Sequence, residues 1–234
     1  MIIPIFEPAT LAEYIKLGAP PAPRPSMCPQ CRALGSFWRH DHFERSAFEG
    51  TLEARIRIQR FLCHACGLAV SCLFAFLVPY RQATASLVAQ AVTAYAGTPT
   101  TYRQTAEDVS PLESSAPPQP SHSQVFRWVQ GIANKAEHLL LQVQKELLLR
   151  GRGDDVQRMV GVRCPNAHRA QSIRKAASLN SLAELLQFAN LLVGEGALSA
   201  LQTKFLSQVE SLQVIFSERV IRLANPQNVK HVIF

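Results

Sequence analysis

Apolar residues along this chain follow two different spacings. Ala54, Ile56 and Ile58 alternate with Arg55, Arg57 and Gln59, a period of two that predicts a strand with one buried face and one basic face. Phe37 to Phe43 predicts a second strand, and LAVSCLFAFLVP, residues 68–79, predicts a buried strand and its exit. From Ala83 the spacing becomes helical. Leu87, Val88, Ala91, Val92 and Tyr95 fit a helix stopped by Gly97 and Pro99, and residues 100–109 fit a short second helix. Ser121 then caps a long helix reaching about Arg150, whose apolar seam runs through Val125, Val129, Ile132, Ala136, Leu139, Val143 and Leu147. Two more helices are predicted, over about 181–193 and 198–224, the first ended by Gly194 and Gly196 and the second by Asn225-Pro226.

Cysteine spacing adds chemistry to the β region. Cys28-x-x-Cys31 and Cys63-x-x-Cys66-Gly67 lie on either side of the strand signals. Zn(II) takes four soft ligands in a tetrahedron, and each Cys-x-x-Cys knuckle supplies two of them with amides aimed at the sulfurs. Redox dithiols or buried free cysteines are the competing reading, but a redox Cys-x-x-Cys calls for a βαβ context that this pattern lacks. Four thiolates close the coordination shell, so the zinc is expected to be structural. Cys72 reads as a small core residue, His64 as a non-ligand, and Cys164-Pro-Asn-Ala-His168 as an unliganded loop.

The fold expected from these signals is mainly α, with a small antiparallel β zinc ribbon near the N-terminus, a helix-turn-helix in the middle and a helical C-terminal region. Its boundaries fall at 1–23 (N-terminal segment and tether), 24–82 (ribbon), 83–150 (helix-turn-helix with a long third helix), 151–176 (basic linker) and 177–234 (C-terminal helices). The tether is GAPPAPRPS, residues 18–26, whose prolines oppose both helix and central strand.

Charge points to an anionic partner. The net charge is +7, and Arg outnumbers Lys eighteen to six, which favours bidentate contacts to phosphate and guanine. The excess sits in two blocks, residues 24–83 and 150–175. The three helices from Ala83 have the order of a helix-turn-helix, with Ser123, Arg127, Gln130 and Asn134 on the face away from the seam and Gln124 beside them. A plain solvated helix face would have the same pattern, and the Ser110–Pro120 loop is longer than a standard turn. The start, MIIPIFEP, predicts no signal peptide, and the longest uncharged apolar run, Gly67 to Tyr80, is too short to span a bilayer. The expectation is a cytoplasmic, nucleoid-associated protein that binds double-stranded DNA and self-associates through its C-terminal helices, with no membrane contact and no small-molecule substrate.

The order Cys-Pro-x-Cys, the strand start FWRH, the strand ARIRIQRFLCHACG, the exit SCLFAFLVPYRQ and the helical YRQTAEDV and SHSQVFRWV resembles the N-terminal region of bacterial transposase-related proteins. In these a zinc ribbon of uncharacterised function precedes a helix-turn-helix. The resemblance covers roughly residues 24–135. It implies Cys28, Cys31, Cys63 and Cys66 as ligands and the helix of Gln124, Arg127 and Trp128 as DNA reader, although Trp128 adjoins Val129 and reads as core. With Arg55, Arg57, Arg60 and Arg103 these residues make up the expected DNA-contact set. Transposases of this kind cut DNA with a ribonuclease-H-like domain that gathers three carboxylates around two Mg(II) ions. After Val129 this chain has only Glu137, Glu146, Asp154, Asp155, Glu184, Glu195, Glu210 and Glu218, with no strand pattern around them. No catalytic residue is therefore expected. The alternatives are an adaptor that grips another protein through its ribbon, and a DNA-end-recognition subunit whose catalytic domain lies on another chain.

Overall fold

The computed structural model describes residues 1–79, 81–110, 119–149, 151–159 and 161–193. The chain divides into two compact units, one built from Met1–Ala85 and the other from Ser86 onward.

The first unit overturns the expected fold class. It is not a small ribbon attached to a mainly α chain but a four-stranded mixed sheet of order β1-β4-β3-β2. The strands are β1 (Ile2–Ile5), β2 (Phe37–Glu49), β3 (Leu52–Cys63) and β4 (Ala69–Phe74), with helix α1 (Leu11–Lys16) between β1 and β2. β2, β3 and β4 pair antiparallel, whereas β1 runs parallel to β4, with Ile2 opposite Ser71 and Ile5 opposite Phe74. Pro4 hid this strand in the sequence. A proline is tolerated at a sheet edge because the edge leaves one row of backbone groups unpaired, and β1 is the edge.

Residues 1–23 are accordingly part of the first unit rather than a tether outside it. Thr10 caps α1 by accepting a hydrogen bond from the Glu13 amide. Leu11 and Tyr14 of α1 and Ala22 of the proline-rich stretch are buried in one core with Phe37, Phe61, Cys63, Val70 and Cys72. Tyr14 meets Phe74 edge-on at 5.1 Å between ring centroids.

β2 and β3 form a hairpin over Gly50-Thr51, with Gly50 at φ 57°. Alternation along β3 holds at its start, where Ile56 and Ile58 are buried and Arg55 and Arg57 are exposed. Toward its end the opposite face is buried too, by Gln59, Phe61 and Cys63, because this part of the strand is covered on both sides. The pairing slips between Arg39 and His42. That bulge is held from β3, where Gln59 Nε2 donates to the Asp41 carbonyl at 2.6 Å and Arg60 pairs with the Asp41 carboxylate at 2.9 Å.

The second unit is helical: α2 (Ala85–Gly97), α3 (Tyr102–Asp108), α4 (His122–Leu149), α5 (Gly153–Met159) and α6 (Ile173–Val193). All seven seam residues of α4 are buried. Leu179, Leu182, Leu185 and Phe188 of α6 are buried as well. Two expectations change here. Residues 151–176 hold α5, a 3-10 turn at Ala167–Arg169 and the first turn of α6, rather than a linker. The Asn166 amide donates to the carbonyls of Tyr95 (2.6 Å) and Thr98 (2.8 Å), and Arg169 to that of Thr100 (2.9 Å), so this stretch supplies partners for carbonyls at the end of α2. Helix α6 starts eight residues before the expected Ser181 because the Ser172 hydroxyl accepts from the Lys175 amide as a cap. Its basic first turn falls within the stretch expected as a linker. The helix expected over 198–224 and the residues Glu195, Glu210 and Glu218 lie outside the described residues.

Candidate metal centre

The two Cys-x-x-Cys segments adopt one backbone conformation twice. In the first, the Cys28 amide donates to Ala33 O (3.0 Å) and the Arg32 amide to Cys28 O (2.9 Å). In the second, the Cys63 amide donates to Leu68 O (2.9 Å) and the Gly67 amide to Cys63 O (2.8 Å). The residue after each second cysteine takes a left-handed conformation, Arg32 at φ 59° and Gly67 at φ 74°. The sheet delivers the second knuckle at the β3–β4 turn. The first leads into β2, whose Phe37 pairs with Cys63. A further bond, from the His64 amide to Ser36 O at 2.8 Å, ties one knuckle to the approach of the other.

This brings the four sulfurs together. The Sγ atoms of Cys28, Cys31, Cys63 and Cys66 all lie within 4.8 Å of one another. Cys28 to Cys66 and Cys31 to Cys63 are each 3.7 Å apart. A tetrahedral metal with bonds of about 2.3 Å to sulfur requires edges of about 3.8 Å, so the set is compatible with one metal ion. Cys28 and Cys63 are buried, while Cys31 and Cys66 are exposed.

Polar groups surround the sulfurs. Cys63 lies 3.2 Å from the buried Ser36 hydroxyl, and this contact, helped by the amides of Cys66 and Ala65 against desolvation, brings the Cys63 thiol down to about 6. Cys66 moves the other way. The Leu68 amide favours its thiolate, but desolvation and the three neighbouring sulfurs outweigh that and push it up to about 12. Cys31 also rises, the Ala33 amide being outweighed by desolvation and by Cys28 and Cys63. Sulfurs this close resist becoming thiolates together unless a cation shares the site. Ser36 carried no signal in the sequence, since a lone serine after glycine is an ordinary turn residue.

The other cysteines stand apart from the cluster. Cys72 is buried in the core of the first unit, and burial pushes its thiol up to about 11. Cys164 is buried in the second unit. His64 is exposed and stacks on Trp38 with ring centroids 5.6 Å apart. Asp154 and Asp155, within the stretch expected as a basic linker, form the first turn of α5, and Asp155 accepts from Arg152 at 2.7 Å.

The residues expected to contact DNA fall in both units. On β3, Arg55 lies 3.7 Å from Glu44, Arg57 donates to His42 Nδ1 at 3.2 Å, and Arg60 pairs with Asp41. On α3, Arg103 lies 3.6 Å from Glu107. Gln124 forms a reciprocal pair with Ser121, its side chain accepting from the Ser121 amide (2.8 Å) and its own amide donating to the Ser121 hydroxyl (3.3 Å). That makes it the third residue of a capping box. Gln130 donates to the Tyr102 hydroxyl at 3.3 Å. Ser123 is partly exposed, Arg127 and Asn134 are exposed, and Trp128 is buried at 4% exposure.

No family model, no curated protein and no solved structure matches this chain. Among the described residues no helix is long and apolar enough to cross a membrane.

Proposed function

We propose that the chain is a non-catalytic DNA-binding protein whose four-cysteine centre holds one structural Zn(II). The soft, closed donor set supports zinc over harder ions, and it leaves no position for a substrate. Cys28 and Cys31 would take two corners and Cys63 and Cys66 the other two. The ion would neutralise the crowded thiolates and lock the knuckles onto the sheet.

One observation carries the DNA reading: the N-terminal half of α4 contains no acid before Glu137 and has Arg127 and Asn134 exposed. A helix N-terminus with its positive dipole end and an unopposed arginine suits phosphate and base-edge contact. Gln124 and Gln130 are removed from the reading set because their amides are engaged within the fold. Among the described residues the four cysteines are the one group of three or more metal-ligating side chains that converges. The resemblance to transposase-related proteins belongs to the same proposal, as does the alternative that this chain recognises DNA ends for a catalytic partner.

The test is duplex binding of the zinc-loaded chain against salt. Dissociation constants between nanomolar and micromolar are expected. Five phosphate contacts would give a slope of log K on log salt of about −4 to −5, and Arg127→Ala would flatten it by about one. Binding that ignores salt contradicts the proposal. The adaptor reading draws support from Leu34 and Trp38 near the centre, 77% and 62% exposed. A partner held after nuclease treatment, with no duplex bound at any salt, would select it.

A further inference from the structure

The first unit carries a pocket of about 300 Å³ that the metal centre does not use. It lies against the face of the sheet bearing Phe43, Ile58 and Leu73, and residues after β4, including Arg81 and Gln82, form its other wall. Arg45 also lines it. This arginine is half-buried, and its side chain's single hydrogen bond among the described residues runs from Nη2 to the Val78 carbonyl at 3.0 Å. No carboxylate of a described residue pairs with it, and no acid lines the pocket. Guanidinium offers five donors, and burying one without a counter-charge is costly. Burial lowers its proton affinity without approaching neutral pH, so the charge stays.

An apolar floor and convergent cationic or amide groups on the walls define a ligand with the opposite layout, an apolar body ending in an anion. The volume stands at the small end of the range for small-molecule pockets, about 300–1,000 Å³. A bare inorganic anion would leave Phe43, 46% exposed at the pocket, uncovered, and a neutral apolar molecule would leave Arg45 without a counter-charge. We propose that this pocket binds a small organic carboxylate, its apolar body against Phe43 and Leu73, above the buried Ile58, and its carboxylate on the Arg45 guanidinium, as a site separate from the metal centre and independent of any nucleic acid.

The experiment titrates the zinc-loaded full chain with benzoate, benzyl alcohol and inorganic phosphate while following the methyl resonances of Ile58 and Leu73. Benzoate should give saturable shifts at these methyls with at least tenfold tighter binding than benzyl alcohol, and phosphate should leave them unmoved. Arg45→Met should weaken benzoate at least tenfold and leave benzyl alcohol within twofold. Should that variant fail to fold, Gln82→Glu serves instead, because it places a like charge beside the carboxylate from an exposed position and should weaken benzoate by a similar factor. Equal affinities for benzoate and benzyl alcohol, shifts that do not saturate, or a response to phosphate matching that to benzoate would overturn the proposal.

Discussion

Arg32 and Gly67 occupy the same place in two copies of one turn, yet only one of them suits it. A side chain in the left-handed region costs about 1–2 kcal/mol, which glycine avoids at an expense in unfolded-chain entropy of about 0.5–1 kcal/mol. Arg32→Gly should therefore stabilise the zinc-loaded protein by up to about 1 kcal/mol. Gly67→Ala should destabilise it by a similar amount through backbone strain alone, since nothing lies within 4 Å of a Cβ built there. Thermal denaturation of the two variants should show shifts of opposite sign. Ser36 offers a second measurement. Its hydroxyl meets the Cys63 sulfur, and losing an outer partner of a metal ligand typically costs about 10–100-fold in affinity. Ser36→Ala should lower zinc affinity by about that factor in a chelator competition, and an unchanged affinity would remove Ser36 from the site's support. Tyr14 shows the reverse situation, a buried hydroxyl with no partner among the described residues. Tyr14→Phe should be neutral or stabilising by about 1 kcal/mol in denaturant unfolding.

At the level of elements, legibility followed local periodicity. The seam of α4 could be read from Val125 to Leu147 because a long amphipathic helix repeats its signal over many turns. The hairpin was readable because Ile56 and Ile58 alternate with arginines. β1 was not, since four residues containing Pro4 acquire their role only from a partner in β4 that is remote in sequence. The second buried face of β3 also escaped, because Phe61 and Cys63 share one core with Leu11 and Tyr14 of α1 and with Ala22 of the proline-rich stretch, whose packing no local pattern announces. Residues 161–169 look like a linker until Asn166 is seen against the end of α2. The four-cysteine cluster behaves differently again. Its ligand types and spacing could be read from the chain, whereas the Ser36 contact and the matched turns depend on register between distant segments. Among the arginines expected to contact DNA, Arg60 anchors the β2 bulge through Asp41.

For the whole molecule, the proposed zinc would decide whether the first unit holds together. A structural zinc contributes about 10–16 kcal/mol in apparent terms, against a total domain stability of about 5–15 kcal/mol. Stripping the metal should then unfold the first unit, while the second, which contains none of the four cysteines, keeps its helices. Circular dichroism after chelation should lose the sheet contribution and retain helical ellipticity, and restoring zinc should bring the sheet back. Simultaneous loss of both signals would contradict a division of labour between the units.

The most direct test of the central claim is X-ray absorption at the zinc edge of the purified full chain, together with its metal content. One zinc per chain with four sulfur neighbours at about 2.3 Å is the predicted result. A chain without stoichiometric metal, or a first shell containing nitrogen or oxygen, would contradict it.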